Sequence, residues 1–198
     1  TDRITFQAME AFIHNLNTMH SRAGAQVPFS SINFGTDISP EGRMVTENYL
    51  KALDKGLGKG ETPIFPISIF KVKEGVNYFQ EDMNYDLFKL AIKTSAKRLF
   101  PNFSFIDSPF NKQYYKEGRY ETEITYMGCR TRVMSDINDP DNEEVIGRGN
   151  LSFTSINLVR VGIKHGILNH DKPDCDGFYE ELDHLLELTK TQLLARYE

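Results

Sequence analysis

"VPFSSINFGTDISPEGRMVTENYLKALDKGLGKGETPIFPISIFKV", residues 27–72, contains the pattern that decides the fold. The stretches 27–35 and 64–72 are typical of strands, and the second is rich enough in Ile and Phe to predict a buried strand. Between them we expect a helix that has Ser39 as its N-cap, Pro40 at its first position and glycines at its end. This order of strand, helix and strand is typical of an α/β fold with parallel strands.

The alternation continues on both sides of this stretch. Asn84 is predicted to cap a helix over residues 85–100, and residues 103–107 predict another strand. Before residue 27, apolar residues recur at the helical spacing from Ile4 to Met19. The sequence therefore predicts a single α/β domain over residues 1–198, without a flexible linker.

The pattern changes after Asp107. Residues 121–135, "ETEITYMGCRTRVMS", predict an extended segment, and the polar stretch 136–144 predicts a turn consistent with a hairpin. Residues 147–158, "GRGNLSFTSINL", predict a second extended segment. The chain then returns to helical patterns at residues 159–166 and 176–197.

Composition excludes several classes of protein. The net charge is −5, with 28 acidic against 23 basic residues and no dense basic block, which argues against a nucleic-acid surface. The sequence has no apolar run of the length that a membrane span needs, and no signal-peptide pattern at its start. Two cysteines in 198 residues favour a reducing compartment and hence a cytoplasmic protein. The first and last residues read as helix, so we expect a piece of a longer protein.

Several chemical motifs are not supported by their spacing. The glycine-rich stretch 56–62 follows a helix and precedes a strand, whereas a phosphate-binding loop needs the reverse order, so it predicts a helix end and a turn. His165, His170 and Cys175 lack the short ligand pairs of zinc sites, and we predict no metal. The sequence also has no Gly-x-Ser-x-Gly motif.

A short phrase occurs twice, as "FSSIN" at 29–33 and as "FTSIN" at 153–157. If both are strands with equivalent ends, the hydroxyl groups of Ser30, Ser31, Thr154 and Ser155 converge on one region. Such hydroxyls, with neighbouring backbone N–H groups, hold an anion without a basic patch. The alternative is that each hydroxyl satisfies only local backbone groups at a strand end.

Cys129 lies in "YMGCRTRV", residues 126–133, away from Cys175, the second cysteine of the chain. It is either a small buried apolar residue or a chemical group. Gly128 permits an unusual backbone or a close approach, and Arg130 and Arg132 add positive charge. The segment lies between two extended stretches, which would place the cysteine at the tip of a hairpin-like loop.

Five longer phrases follow one another along the chain: "HSRAGAQVPFSSINFGTD" (20–37), "GETPIFPISIFKVKEGVN" (60–77), "AKRLFPNFSFID" (96–107), "YMGCRTRV" (126–133) and "GRGNLSFTSINL" (147–158). Together they resemble the anaerobic (class III) ribonucleoside-triphosphate reductases, a family of glycyl radical enzymes. The resemblance runs from about residue 5 to residue 198 and weakens after about residue 165. It implies part of a ten-stranded α/β barrel with a central finger loop.

The resemblance also implies roles for individual residues. Cys129 matches the finger-loop cysteine that becomes a thiyl radical and abstracts the 3′-hydrogen of a ribonucleoside triphosphate. The product is a deoxyribonucleoside triphosphate for DNA synthesis. Asn150 matches the asparagine beside the ribose hydroxyls, and the two repeated phrases, with Ser30, Ser31, Thr154 and Ser155, match segments that line the substrate site. An asparagine here resembles the members that use formate as reductant.

Other parts of such an enzyme are absent from these 198 residues. The family's glycyl radical and its zinc cysteines lie C-terminal to this region, while a second essential cysteine and the regions that bind ATP and deoxynucleotide effectors lie upstream. The family is activated by a radical-SAM enzyme and works as a homodimer. The resemblance thus implies an oxidoreductase fragment that is inactive alone, with no cofactor of its own and no nucleic-acid or membrane partner.

Two other functions stay open. One is a glycyl radical barrel for a different substrate, as in relatives of pyruvate formate-lyase, although those usually show two adjacent cysteines where "GCRT" has one. The other is a non-catalytic nucleotide-binding or assembly module. The intact protein distinguishes these functions, because Cys129 would affect the activity of an enzyme and would not affect that of a nucleotide-binding module.

Overall fold

The computed structural model describes residues 2–20, 25–128, 131–134, 139, 152–169 and 171–197. These residues divide into two compact units, 1–148 and 149–198, and each unit is described by itself. The single domain predicted from the sequence therefore stays a prediction.

The first unit is a mixed α/β structure built on a small parallel sheet. The strands are β1 (Ser31–Phe34), β2 (Ile67–Val72) and β3 (Asn102–Phe105), in the order β1-β2-β3. Asn33 is in register with Ile69 across the first pair, and Lys71 with Ser104 across the second. Helix α2 (Pro40–Lys55) connects β1 to β2, and helix α3 (Tyr85–Arg98) connects β2 to β3. The predicted α/β alternation is confirmed for these elements.

Helix α2 begins and ends as its sequence predicts. The Ser39 hydroxyl accepts a hydrogen bond of 3.0 Å from the N–H of Gly42, and Pro40 occupies the first turn. The helix stops at Gly56, whose φ of +81° suits a residue without a side chain. Arg98 of α3 then donates to the carbonyl groups of Asp54 and Lys55, which have no partner within the helix.

The helix-facing side of the sheet forms the core. Alternate residues of β2 point to this side, so that Phe70 and Val72 pack between the two connecting helices. Their fully buried partners are Leu50, Leu87 and Ala91. Full burial of a side chain such as Phe70 contributes about 1.5–3 kcal/mol relative to exposure. Helix α1 (Asp2–Thr18) packs on α2 around a second cluster, made of Ile13, Tyr49, Ala52 and Leu53.

Two buried asparagines organise the carboxyl end of β1. The side-chain amides of Asn77 and Asn84 both donate to the carbonyl of Gly35, at 2.9 Å and 3.1 Å. Asn84 is the N-cap of α3, as predicted, although its side chain makes no capping hydrogen bond. Its side chain is already engaged, since it donates to Gly35 and Asp37 and accepts from the Arg43 guanidinium.

Residues after β3 form short elements. They are α4 (Pro109–Lys112), a 3₁₀ turn (Tyr120–Thr122), β4 (Thr125–Met127) and β5 (Thr131–Val133). The extended segment predicted for residues 121–135 is therefore correct only in part, because the first residues coil into the 3₁₀ turn. Strands β4 and β5 pair antiparallel.

In its described residues the second unit contains two helices, α5 (Leu158–His165) and α6 (Cys175–Tyr197), in agreement with the helical patterns. The strand predicted over residues 147–158 is not formed in its described part, 152–158, where Leu158 already begins α5. A strand needs a hydrogen-bonded neighbour, and the described residues supply none to this segment. The predicted turn at 136–144 lies outside the described residues, except for Asp139.

Candidate active site

The hairpin of β4 and β5 carries the cysteine singled out by the sequence. Met127 is in register with Thr131, so the residues between the two strands are Gly128, Cys129 and Arg130. Gly128 is described, whereas Cys129 and Arg130 lie outside the described residues. The predicted position of Cys129 at a loop tip stays a prediction.

Strand β4 is bound to the sheet through Asn33. The Asn33 side-chain amide donates to the carbonyl of Tyr126 and accepts from its N–H, with both distances 2.9 Å. Asn33 faces away from the helices, because its neighbours Ile32 and Phe34 pack against the core. A primary amide can make this pair of bonds because it has one acceptor and two donors. The Asn33 side chain thus makes the two bonds to Tyr126 that the backbone of a neighbouring strand would otherwise make.

Two further residues of the "FSSIN" phrase meet Gly128. The Ser31 hydroxyl accepts a hydrogen bond of 3.1 Å from the Gly128 N–H. Gly128 has φ of +61°, and a Cβ atom there would lie 3.1 Å from the Phe29 ring. Ser31 and Asn33 are alternate residues of β1 and share one face, so both meet the hairpin.

Ser30 makes different contacts from Ser31. Its hydroxyl donates to the carbonyl of Pro28 at 3.4 Å, and its own carbonyl accepts from the N–H of Ile67. Of the two serines predicted to bind substrate, Ser31 therefore contacts the hairpin and Ser30 contacts its local backbone and β2.

Glu123, which leads into β4, belongs to a buried cluster of charged side chains. The two carboxylate oxygens of Glu123 accept from Lys71 at 3.0 Å and from Lys73 at 2.9 Å. Burial alone would raise the pKa of Glu123, but the attraction of Lys71 and the hydrogen bonds from both lysines outweigh it and lower that pKa. Burial also lowers the pKa of Lys71, since Glu123 offsets only part of that effect. The cluster joins β2 to the start of the hairpin.

Sequence reasoning missed this cluster. The signal was available in "IFKVKEG", where two lysines two positions apart interrupt an apolar strand and so share one face. Nothing in the sequence pointed to Glu123 as their partner, because it lies about 50 positions further along the chain.

The second strand of the hairpin is bound through Arg132. Its guanidinium donates to the Asn111 side chain at 3.0 Å and to the carbonyl of Phe110 at 3.3 Å. The guanidinium also lies 4.8 Å from the centre of the Phe110 ring. Arg132 therefore attaches β5 to α4.

The second unit contains the other two predicted substrate residues. Thr154 donates to the Gln192 side chain at 3.0 Å and accepts from Arg196 at 3.4 Å, while Ser155 is exposed. Both line a groove of about 750 Å³ that α5 and α6 border. Asn157 differs from its counterpart Asn33, because its side chain accepts from the Arg160 N–H and caps α5. The two repeated phrases thus have different local structures.

His165 is the centre of a separate polar cluster in this unit. Its Nε2 lies 2.7 Å from Glu181 and its Nδ1 lies 3.1 Å from Asp174. Hydrogen bonds that the His165 ring donates to Glu181 and then to Asp174 raise the pKa of His165. Cys175 is exposed, and His170 lies outside the described residues. Among the residues that the structure describes, no His, Cys, Asp or Glu side chains group as metal ligands would.

Within the described ranges, no helix combines the length and apolar character required to cross a bilayer.

Comparison with known proteins gives a consistent result. The family model described as anaerobic ribonucleoside-triphosphate reductase matches residues 1–198. The chain is 35% identical over 164 residues to the anaerobic ribonucleoside-triphosphate reductase of Enterobacteria phage T4, which covers 82% of the chain and 26% of that protein. It is 31% identical over 192 residues to the proteins of the same name from Haemophilus influenzae and Escherichia coli, which covers 96% of the chain and 25% of each protein.

The chain thus spans about a quarter of the length of the curated relatives that it matches. The match extends over the sheet, the hairpin and the second unit alike. On this evidence of sequence the chain belongs to the anaerobic ribonucleoside-triphosphate reductase family.

Proposed function

We propose that this chain supplies the thiol-bearing part of an enzyme that reduces ribonucleoside triphosphates to deoxyribonucleoside triphosphates without oxygen. The observation that carries the proposal is the attachment of the segment before Cys129. Asn33 binds Tyr126 at two points, and Ser31 binds Gly128. A reactive group gains from such preorganisation, because misplacement by about 1 Å lowers a rate about 10²-fold.

The role of Cys129 is to exchange hydrogen atoms with the substrate. In the intact enzyme a glycyl radical would remove the hydrogen atom of its S–H group. The sulfur radical then takes the hydrogen from C3′ of the ribose, and the 2′-hydroxyl leaves as water with one added proton. A hydride equivalent from the reductant then supplies two electrons and the hydrogen that replaces the hydroxyl on C2′, and the S–H group returns its hydrogen atom to C3′. A serine cannot replace this cysteine, because its O–H bond is too strong.

The substrate contacts belong to the proposal as well. Asn150, which lies outside the described residues, would bind the ribose hydroxyls through its amide. Ser31 accepts from Gly128 and would use its hydroxyl hydrogen as a donor to the substrate. Ser30, Thr154 and Ser155 are the other residues proposed for substrate binding.

Formate is the proposed reductant. It supplies a hydride equivalent, so that formate, one proton and the ribonucleotide give carbon dioxide, water and the deoxyribonucleotide. A carboxylate at position 150 would repel formate in a pocket of low dielectric constant, whereas the neutral amide of Asn150 adds no charge. A neutral amide at position 150 therefore favours formate over a thiol reductant.

The remaining parts of the enzyme belong to the whole protein. They are the glycyl radical segment, the zinc site, the regions for ATP and deoxynucleotide effectors, and the radical-SAM activating enzyme. A homodimer and a cytoplasmic location are also proposed. The 198-residue chain alone is expected to form no glycyl radical and no product when incubated with the activating enzyme, S-adenosylmethionine and a reductant.

The proposal is tested on the intact protein under anaerobic conditions. After activation, the enzyme should release one labelled carbon dioxide from ¹³C-formate for each deoxynucleotide formed. The Asn150→Asp substitution should impair turnover clearly and impair folding less. Binding of nucleotide without any deoxynucleotide would favour the non-catalytic module. Full activity with a thioredoxin system and no formate would refute the reductant alone.

A further inference from the structure

The Lys71–Glu123–Lys73 cluster is more buried than a surface ion pair. The side chains of Lys71 and Glu123 are 9% and 10% exposed, and that of Lys73 is 24% exposed. Lysine and glutamate are almost never buried to this degree unless they are paired. The Lys73 ammonium also lies 4.7 Å from the centre of the Tyr115 ring, which favours a cation at that point.

Stability alone does not account for such a cluster. Burying two charges costs desolvation free energy, and their mutual attraction offsets only part of that cost. Apolar residues of similar volume often stabilise a protein more than a buried ion pair does. A carboxylate between two ammonium groups instead fixes the direction of its side chain, since each oxygen has its own donor. The cluster thus provides a defined position for Glu123.

The position matters because of where Glu123 lies in the chain. Lys71 belongs to β2, which pairs with β1 on one side and with β3 on the other, so it is held on a fixed strand. Glu123 precedes β4 by two residues, and β4 is bound to β1 through Asn33. The segment from 123 to 128 is therefore attached to two neighbouring strands, and two separated attachments fix its direction as well as its location.

We propose that Glu123 is a positioning residue for the reaction, held by Lys71 and Lys73 so that the segment entering the loop with Cys129 has one orientation. This inference rests on the proposed role of Cys129. Hydrogen-atom transfer depends on the distance between sulfur and the ribose carbon, whereas substrate affinity depends on other residues. Loss of Glu123 therefore lowers kcat and leaves KM nearly unchanged.

The test uses the intact enzyme, activated anaerobically, with Glu123→Gln as the variant. Its matched control is Glu121→Gln, which removes a carboxylate 2.8 Å from Arg119 in a more exposed pair. We expect kcat to fall about 10- to 100-fold in Glu123→Gln, with KM and the yield of glycyl radical unchanged. The control should stay within about twofold of the wild type.

A second variant separates positioning from folding. Lys71→Met combined with Glu123→Gln removes the buried cation that the single change leaves uncompensated, so thermal stability should recover. The value of kcat should stay low, because the attachment to β2 is still lost. Recovery of kcat together with stability would show a purely structural role and overturn the proposal.

A third measurement does not depend on turnover. The rate at which iodoacetamide alkylates Cys129 in the resting enzyme, followed by mass spectrometry of its peptide, should change severalfold in Glu123→Gln and not in Glu121→Gln. An unchanged kcat or an unchanged alkylation rate in Glu123→Gln overturns the positioning role. The proposed function has a separate test, since it fails only if the enzyme makes no deoxynucleotide or works without Cys129.

Discussion

The side-chain amide of Asn33 and the backbone of Tyr126 exchange two hydrogen bonds of 2.9 Å, although the residues are 93 positions apart in the chain. This contact attaches the hairpin to the edge of the parallel sheet. The sequence pattern alone did not predict this contact. The repeated phrase instead suggested that its hydroxyl residues bind an anion.

Replacement of Asn33 by Ala should loosen the hairpin. The change leaves the N–H and the carbonyl of Tyr126 without their partner, at a cost of about 1–3 kcal/mol in the free energy of unfolding. Hydrogen exchange at the Tyr126 amide should become faster. The control is Asn157→Ala, at the corresponding position of the second phrase, where the side chain only caps α5. Unchanged protection of Tyr126 in Asn33→Ala would contradict this account.

Gly128→Ala should destabilise the hairpin by about 1–2 kcal/mol, because φ of +61° disfavours any residue with a Cβ atom. The added methyl would also crowd the Phe29 ring at 3.1 Å. Gly162→Ala is the control, since a Cβ at that helical position meets no described atom within 4 Å apart from its chain neighbours and its own helix backbone. That substitution should be neutral or stabilising by up to about 1 kcal/mol. Equal urea midpoints for the two variants would argue against strain at Gly128.

Arg98→Met should destabilise the first unit by about 2–3 kcal/mol, because the carbonyl groups of Asp54, Lys55 and Gly60 lose a buried donor. Lys97→Met is the control, since Lys97 forms a more exposed ion pair with Asp54 at 2.9 Å. A surface pair of this kind contributes at most about 1 kcal/mol. Chemical denaturation compares the two variants, and a larger loss in Lys97→Met would contradict the role of Arg98.

The contact between α5 and α6 should depend on pH through His165. Its pKa is raised above 6.5 by Glu181 and Asp174, so the protonated ring stabilises the folded state fully below pH 6.5. This stabilisation by the protonated His165 ring is lost as the pH rises through the higher pKa that His165 has in the folded state. NMR titration of the His165 ring in the chain should show the raised value. A Glu181→Gln variant should lower it, and an unshifted titration in the wild type would contradict the geometry.

The sequence predicted the regular elements better than the contacts between them. Helix α2, its Ser39 cap and the three parallel strands follow from local rules of capping and alternation. Asn84 is the N-cap of α3, as predicted, but its side chain is used in long-range bonds to Gly35 and Arg43 that no local rule predicts. The second repeated phrase has the composition of a strand, yet its described residues have no strand to pair with.

The site shows the same division between local and long-range information. Ser31 and Asn33 were visible as a repeated pattern, and the alternation of β1 placed them on one face. Their partners could not be predicted, since hydrogen bonds to Tyr126 and Gly128 join parts of the chain that no local rule connects. The lysines of "IFKVKEG" were a visible signal, but no local rule connects Lys71 with Glu123, about 50 positions away.

The central claim is that Cys129 is the hydrogen-abstracting residue of the intact enzyme, and one measurement tests it most directly. The Cys129→Ser variant is activated anaerobically beside the wild type, and the glycyl radical and the deoxynucleotide product are both quantified. We predict a normal yield of glycyl radical and no deoxynucleotide. Product formation by Cys129→Ser at a rate comparable to that of the wild type would contradict the claim.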